Sequence, residues 1–257
     1  KWIKHSVGNK QSLINDQVNS IIEDSEGDLW YGTNNGISLQ DSKTGKWRSF
    51  LSTFENVQNS KNHIFTTLCE VSPGIIWAGG YFSGLYQIDK RTSKTTYFTP
   101  ASYAHESIRP DKYIRDIRKD SRGYVWSGGY YNLKRINVQT KDIRLYHGLH
   151  SVTAIIEKDD KSMWIGTATG LFLLDIESGK YERIQLPVES TYVYSLYQTK
   201  QGSLYIGTSG SGVLIYDPQT KLFTHYYTGN CAMISNNIYT ILSDEDNEIL
   251  LSTENGL

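Results

Sequence analysis

Cysteine is scarce in this sequence of 257 residues: only Cys69 and Cys231 are present, which excludes a disulfide framework or a cysteine-rich zinc cluster. An excess of charge is also lacking, because 26 basic residues oppose 27 acidic ones and leave a net charge of −1. A nucleic-acid groove or a polybasic membrane surface needs a clear basic excess, so both are excluded. Uninterrupted apolar runs such as residues 171–174 are far shorter than the about 20 residues that span a membrane.

Glycine and aromatic residues are abundant by contrast, with 22 Gly, 19 Tyr and 6 Trp beside 5 Pro and 2 Met. Glycine and aromatic residues together, with few strong helix formers, predict many short strands joined by tight turns. A single compact core stops growing at roughly 250 to 300 residues, so one ordinary core would be close to its size limit.

One phrase recurs along the chain, and its first copy is Leu29-Trp30-Tyr31-Gly32-Thr33, followed by a turn glycine. The later copies lie 38 to 49 residues apart, and the last one is degenerate. The anchor positions of the six copies are Trp30, Trp77, Trp126, Trp164, Tyr205 and Leu250. Because the four tryptophans recur at one position of the repeat, we expect them to lie in the core.

Each repeat is predicted to contain four strands, which in the first copy are residues 18–23, 28–33, 37–40 and 46–50. Four short strands in each repeat, with no helical periodicity between them, indicate a β-propeller blade. We therefore predict an all-β fold, a β-propeller of four-stranded antiparallel blades, in a single domain over residues 1–257. Its core would be divided between neighbouring blades, which removes the size limit.

The two ends of the chain bear on the number of blades. Residues 1–5 resemble the fourth strand at 46–50, and the chain stops where the third strand of the sixth repeat would begin. The ends either complete one blade between them, giving a six-bladed ring, or belong to a longer chain. No third strand is present for the split blade, so we favour an excerpt that contains about six blades.

The phrase from Ile21 to Asp24, continued through residues 27–33 to Gly36-Ile37, resembles the two-component regulator propeller repeat. The leader at 12–18, echoed at 234–238, resembles the stretch that precedes the repeat in that family. The resemblance covers essentially the whole chain, with departures at Asn132, where the turn glycine is missing, and at Leu250 and Ser252. Propellers of this family are commonly seven-bladed, so the resemblance implies that this chain is part of a seven-bladed propeller.

The resemblance also implies a function. Such repeats form extracytoplasmic sensor regions of Bacteroides-type hybrid two-component histidine kinases, which control polysaccharide use and respond to glycan fragments. The implied location is the periplasm, and the implied partners are an oligosaccharide or other small ligand, an adjacent propeller, a β-sandwich domain and a second copy in a homodimer. Kinase modules are absent from this sequence, so the chain itself is expected to be no enzyme and to have no cofactor and no nucleic-acid partner.

Candidate ligand-binding residues come from the loops that a propeller gathers on one face. These loops vary in length and chemistry here, and functional residues concentrate in variable loops on a rigid scaffold. The long loop at 99–111 contains Tyr103, His105 and Arg109, and two hairpin tips carry the pairs Tyr81-Phe82 and Tyr130-Tyr131 where other blades carry small polar residues. Aromatic rings beside hydrogen-bonding groups suit sugars, because ring faces stack and hydroxyls take directional bonds.

The second position of strand one adds three candidates. It varies from blade to blade, which fits the mouth of a channel better than a shared core, and we select Arg115, Tyr194 and Tyr239 from the six residues found there. The other three, Asn19, Thr66 and Thr153, are equally consistent with hydrogen bonds between blades.

Three other interpretations of these residues stay open. The tip aromatics could instead cap the blade interfaces or contact a neighbouring domain. The chain could be a propeller lyase or hydrolase acting on a polysaccharide or small molecule, with His105 and Glu106 as the first catalytic candidates. It could also be a purely structural propeller that mediates dimerisation. No motif for a metal site or a nucleophile is present, so we assign no catalytic residue and no metal ligand.

Overall fold

The computed structural model describes residues 3–51, 63–98, 113–244 and 246–256. Within these ranges the regular structure consists of β-strands, and no helix is long and apolar enough to cross a membrane. The candidates Tyr103, His105 and Arg109, together with Glu106, lie outside the described residues. The chain divides into two compact units, Lys1–Leu145 and Tyr146–Leu257.

The first unit contains three four-stranded antiparallel sheets, each with its strands in chain order. The first sheet is formed by β1 (Val18–Glu23), β2 (Leu29–Thr33), β3 (Gly36–Gln40) and β4 (Trp47–Phe50). The second is formed by β5 (Ile64–Ser72), β6 (Ile75–Tyr81), β7 (Gly84–Asp89) and β8 (Thr95–Tyr97). The third is formed by β9 (Ile114–Lys119), β10 (Tyr124–Gly129), β11 (Leu133–Asn137) and β12 (Ile143–Tyr146), whose last residue opens the second unit.

The second unit contains two four-stranded antiparallel sheets and a two-stranded one. The fourth sheet is formed by β13 (Val152–Asp159), β14 (Ser162–Thr167), β15 (Gly170–Asp175) and β16 (Tyr181–Ile184). The fifth is formed by β17 (Val193–Gln198), β18 (Leu204–Thr208), β19 (Val213–Asp217) and β20 (Leu222–Tyr226). The hairpin is formed by β21 (Ile238–Ser243) and β22 (Ile249–Thr253).

The predicted blades are confirmed as five four-stranded sheets and a sixth with two strands. In the first sheet, the predicted strand bounds agree with the structure to within one residue. The placement of all 257 residues in a single domain, and the total number of blades in the parent propeller, stay predictions.

The anchor tryptophans lie in the core, as predicted. Trp30, Trp77 and Trp126 are 0% exposed and Trp164 is 1% exposed. Trp30 packs in one cluster with Phe65 and Tyr86 of the second sheet, so the anchor of one blade is covered by the blade that follows it. The degenerate anchor Leu250 is 42% exposed.

In the first and third blades, the turn between strands one and two is fixed by an aspartate placed six residues before the anchor. The carboxylate of Asp24 accepts the backbone N–H groups of Glu26 and Asp28 and the indole N–H of Trp30, the last at 2.8 Å. Asp120 repeats the arrangement and accepts the indole N–H of Trp126 at 2.9 Å. One carboxylate therefore satisfies both the turn and the buried indole, which would otherwise be left without a hydrogen bond in the core.

Candidate functional site

Five aromatic side chains gather where the second and third sheets meet in the first unit. We call them the Tyr113 cluster, and its members are Tyr81, Phe82, Tyr113, Tyr130 and Tyr131. The ring of Tyr113 lies 5.9 Å from that of Tyr81, 4.6 Å from that of Phe82 and 6.1 Å from that of Tyr130. Tyr131 extends the cluster through an edge-to-face contact of 4.9 Å with Tyr130. Four predicted candidates are thus brought together by a fifth residue that the sequence did not single out.

Backbone contacts place the hairpin tips next to Tyr113. Tyr81 and Tyr113 form an isolated antiparallel bridge, and the N–H of Tyr130 donates to the carbonyl of Tyr113 at 3.2 Å. The approach requires glycine, because a Cβ atom on Gly129 would lie 1.8 Å from the Tyr113 carbonyl oxygen. A Cβ atom on Gly80 would likewise lie 1.8 Å from the Ile64 carbonyl oxygen. The Gly-Gly pairs of these two blades therefore fix where their aromatic tips begin.

The other blades carry threonine at the position of Gly80 and Gly129. The hydroxyls of Thr33 and Thr167 donate to the carbonyls of Gly36 and Gly170, at 2.8 and 3.0 Å, and so close the hairpin with a small polar tip. The same bond recurs at Thr208 and Thr253. Aromatic tips thus occur in the two blades that lack this threonine bond.

Phe82 has an unusual backbone conformation for a bulky residue. Its φ is +58°, which lies in the left-handed region of the backbone that residues other than Gly, Asn and Asp seldom adopt. The ring is 49% exposed, so the burial of its apolar surface offsets little of the free-energy cost of this strained backbone. Strained residues of this kind are found preferentially at functional sites.

Arg115 adds a charged group to the edge of the cluster. Its Nη2 donates to the hydroxyl of Tyr81 at 3.0 Å, and its guanidinium carbon lies 5.9 Å from the centre of the same ring. The sequence pointed to Tyr81 and Arg115 separately, and the structure pairs them. With Tyr130 57% and Tyr131 38% exposed, the site presents open aromatic faces beside a fixed cation and a phenol.

A second group of aromatic residues lies in the second unit. We call it the Tyr194 cluster, and its members are Tyr192, Tyr194 and Tyr239. The ring of Tyr194 lies 4.8 Å from that of Tyr192 and 5.2 Å from that of Tyr239. The predicted pair Tyr194 and Tyr239 is therefore in direct contact, and Tyr239 is 44% exposed.

The remaining residues at the second position of strand one join neighbouring sheets. Asn19 donates to the carbonyl of Phe65 at 3.1 Å, and Thr66 donates to that of Ile114 at 2.9 Å. Thr153 likewise donates to the carbonyl of Val193. The alternative of hydrogen bonding between blades is thus confirmed for these three residues.

Tyr113 and Tyr192 are the two members that sequence reasoning missed. Both stand immediately before the first strand of a blade, where the equivalent residues are Gln17, Ser151 and Asn237 and, as the first residue of β5, Ile64. The carbonyl at this position receives the N–H of the hairpin tip, from Asn34 in the first blade and from Ser209 in the fifth. Alignment of the residue before strand one, in addition to the strands themselves, would have placed both tyrosines beside the tips.

No group of three or more His, Cys, Asp or Glu side chains that could hold a metal ion is found in the residues that the structure describes. The catalytic candidates His105 and Glu106 lie outside them, so their role in a lyase or hydrolase stays a prediction.

Comparison with protein families gives a match to the model described as two component regulator propeller, at residues 12–35 and 187–210. Among curated proteins, Histidine kinase P4 of Formosa agariphila is 25% identical over 262 residues. The alignment covers 93% of this chain but only 18% of that relative, so the chain spans under a fifth of the relative's length.

Two kinds of solved structure share the fold. The extracellular domain of a protein described as a hybrid two component system of B. thetaiotaomicron has a TM-score of 0.79 at 19% identity, covering 99% of this chain and 34% of that one. Virginiamycin B lyase from Staphylococcus aureus has a TM-score of 0.72 at 14% identity, covering 90% of this chain and 76% of the lyase. At these identities the similarity shows the fold, and it confirms the predicted all-β propeller class.

Proposed function

Because the chain carries two-component regulator propeller repeats, we propose that it is a ligand-sensing propeller from the extracytoplasmic region of a hybrid sensor histidine kinase. Its ligand is a glycan fragment, and its role in the parent protein is to regulate polysaccharide utilisation. The parent lies in the inner membrane with this region in the periplasm. The chain itself is not an enzyme, and it acts together with the adjacent propeller and β-sandwich domains, as one half of a homodimer.

The observation that carries the proposal is the Tyr113 cluster. Turn tips are ordinarily occupied by small polar residues, yet two neighbouring blades here carry aromatic pairs, of which Phe82, Tyr130 and Tyr131 are exposed. Tyr81 and Phe82 meet Tyr113 edge to face, and Tyr130 meets Tyr131 in the same way, while the rings of Phe82, Tyr130 and Tyr131 stay between 38% and 57% exposed. Such faces suit the C–H-rich surface of a sugar ring, and the Arg115–Tyr81 pair supplies directional hydrogen bonds to its hydroxyls or carboxylates.

The energy available from such a site is sufficient for specific binding. Stacking of one planar group on an aromatic side chain contributes roughly 1 to 3 kcal/mol at nucleic-acid sites, and two or three platforms would supply several kcal/mol. The rings are held by backbone hydrogen bonds and close glycine contacts, so little conformational entropy is lost on binding.

The test is the Tyr130→Ala variant, measured by calorimetry against a panel of neutral and acidic oligosaccharides. Because the ring is more than half exposed, its removal should leave thermal unfolding nearly unchanged while weakening binding by about tenfold. Tyr226→Ala is the matched control, since Tyr226 is 42% exposed on β20 and has no part in either cluster.

Two results would contradict the proposal in different ways. If the folded Tyr130→Ala variant keeps the affinity of the original chain, the Tyr113 cluster is not the binding site. If the original chain binds no oligosaccharide of the panel, glycan sensing by this propeller is wrong, and a structural role or a ligand held by another domain takes its place.

A further inference from the structure

The Tyr194 cluster differs from the rest of the chain in how its residues are used. Tyr194 and Tyr239 occupy the second position of strand one, where Asn19, Thr66 and Thr153 donate hydrogen bonds to the next sheet. A tyrosine at this position is too long for the same short bond. The fifth and sixth sheets therefore need another donor.

Ser195 is that donor. Its hydroxyl lies 3.5 Å from the carbonyl of Ile238, which is the equivalent of the Phe65, Ile114 and Val193 carbonyls in the other pairs of sheets. The contact between the fifth and sixth sheets is completed by an apolar cluster of Val213, Ile238 and Ile241, with Tyr197 and Tyr205 packed against it. Tyr194 therefore does not have to donate the hydrogen bond to the next sheet that Asn19, Thr66 and Thr153 donate at the same position.

The phenol groups are also unused within the described residues. The structure shows no hydrogen bond from the hydroxyl of Tyr194 or of Tyr239, and no charged side chain lies over either ring. Each of the two rings contacts other rings of the same cluster. An aromatic pair with one exposed ring, that of Tyr239, two free hydroxyls and no charge over either ring is suited to a ligand that offers both an apolar face and hydrogen-bonding groups.

The backbone around the cluster is held firmly in place. The N–H of Ser209 donates to the carbonyl of Tyr192 at 3.0 Å, which ties the tip of the β18–β19 hairpin to the residue before β17. The N–H groups of Gly210 and Gly212 both donate to the carbonyl of Asn236, at 3.1 and 2.9 Å, which ties the same tip to the leader of β21. Rigid tyrosines lose little entropy on binding, so the cluster is prepared for a ligand.

From these observations we infer that the Tyr194 cluster is a second ligand site, which binds an uncharged sugar ring of a glycan. The sugar ring stacks on the exposed ring of Tyr239, and Tyr194, which meets Tyr239 edge to face, offers its phenol group to the sugar's hydroxyls. The Tyr113 cluster differs because Arg115 gives it a fixed cation, so an acidic sugar is accommodated there and not at the Tyr194 cluster. This inference rests on the proposed glycan-sensing function.

Two variants test the site with little risk to the fold. Tyr239→Ala removes a ring that is 44% exposed. Tyr194→Thr installs the residue that Thr66 and Thr153 already place at this position, where it can donate to the Ile238 carbonyl. Both should unfold at nearly the same temperature as the original chain, and Tyr226→Ala is again the control.

The measurement is calorimetric titration with neutral hexasaccharides of glucose, xylose and mannose, in the original chain and in a Tyr130→Ala background. Binding that persists in Tyr130→Ala and falls by about tenfold on adding Tyr239→Ala or Tyr194→Thr supports a second site. Binding that Tyr130→Ala alone abolishes, or that Tyr239→Ala leaves unchanged, overturns the second site while leaving glycan sensing intact. Absence of binding to the original chain by these sugars and by acidic oligosaccharides overturns the proposed function itself.

Discussion

At the scale of single residues, Lys90 forms ion pairs with three carboxylates of the first sheet or its turn. Its ammonium lies 2.6 Å from Asp24, 2.7 Å from Glu26 and 2.7 Å from Asp28, and its side chain is 6% exposed. Burial alone would raise the pKa of Asp24 and of Asp28, but hydrogen bonds, first among them those from Lys90, hold both pKa values below their ordinary range. Burial acts to lower the pKa of Lys90, and its bonds to the three carboxylates raise it overall.

Substitution of Lys90 by methionine should be strongly destabilising. Loss of the ammonium leaves the buried carboxylates of Asp24 and Asp28 without their partner, which costs about 3 kcal/mol in the free energy of unfolding. Carboxylates with a lowered pKa stabilise the fold above their ordinary value, about 3.9, and lose that contribution as the pH falls. The deficit of Lys90→Met should therefore be largest near pH 7 and shrink below about pH 4.

Urea unfolding across this pH range measures the effect. Lys94→Met is the control, because Lys94 is exposed and lies in the same β7–β8 turn as Lys90. A Lys90→Met variant as stable as Lys94→Met at neutral pH would show that the cluster contributes nothing to the fold.

Gly129 is a second residue whose identity is set by its surroundings. Most blades carry threonine at this position, so Gly129→Thr is the substitution that the repeat itself suggests. We expect it to cost roughly 1 to 3 kcal/mol, because the new Cβ would overlap the Tyr113 carbonyl. Displacement of Tyr113 should also weaken glycan binding.

Thermal unfolding and calorimetry together check this expectation. The reverse exchange, Thr167→Gly, removes the hydroxyl bond to Gly170 without moving a ring of either cluster, so it should lower stability and leave binding unchanged. A Gly129→Thr variant with unaltered stability and affinity would contradict the close approach.

At the scale of structural elements, one turn between strands three and four is repeated in all five complete blades. In each turn the side chain of an Asp or Asn accepts the backbone N–H of the residue three positions later, and that residue is always Thr or Ser. The acceptors are Asp41, Asp89, Asn137, Asp175 and Asp217. Hydrogen bonds within the turn lower the pKa of three of these carboxyl groups. The largest contribution comes from the N–H of Thr44 for Asp41, from that of Thr92 for Asp89 and from that of Gln219 for Asp217.

These turns should contribute to the acid sensitivity of the fold. Because the folded-state pKa values lie below the ordinary value, the stabilisation is present above about pH 3.9 and is lost as the pH falls through the lowered values. Asn137 shows that an amide can hold the same turn. The triple variant Asp41→Asn, Asp89→Asn and Asp217→Asn should therefore fold normally at pH 7 and lose less stability in acid.

Urea unfolding between neutral and acidic pH would measure that difference. The triple Ala variant at the same positions provides the comparison, since it removes the acceptor and should be less stable at every pH. If the free energy of unfolding falls with decreasing pH in the same way in the Asn variant and in the original chain, these carboxylates do not determine the acid sensitivity of the fold.

At the scale of the whole molecule, the near balance of charge limits long-range electrostatics. With a net charge of −1 and a pI near 6.7, the chain has no field that would attract a charged ligand from a distance. Recognition must then depend on short-range stacking and hydrogen bonds. The chain also spans only 18% of its curated relative, so signalling belongs to the longer protein of which we propose it is part.

Binding of neutral oligosaccharides should accordingly be almost independent of salt. Screening weakens interactions between separated charges, and a stacked neutral sugar presents none. Calorimetric titrations at about 0.05 M and about 0.5 M NaCl should give affinities within about a factor of two. A steep loss of affinity at high salt would point to an ionic ligand or an ionic site.

The sequence by itself determined the repeat, the four-strand blade, the turn chemistry and the buried anchors. These features depend on local geometry: the carboxylate of Asp24 bonds to N–H groups within the four residues after it, and the anchor position of the first blade faces the next sheet. Most of the candidate aromatics could be found in this way, because a tyrosine at a turn tip departs from a pattern that is visible in the sequence.

Only the tertiary structure decided which side chains meet. Tyr113 lies beside Tyr130 because Gly129 lets two backbones from different strands approach, and Arg115 bonds to Tyr81 on a neighbouring sheet. Ser195 donates to the carbonyl of Ile238, the hydrogen bond that in three other blades comes from the residue at the position of Tyr194, so Tyr194 is not needed for it. Such contacts depend on the distance between sheets and on the absence of a single Cβ atom, and no local pattern of residues encodes either quantity.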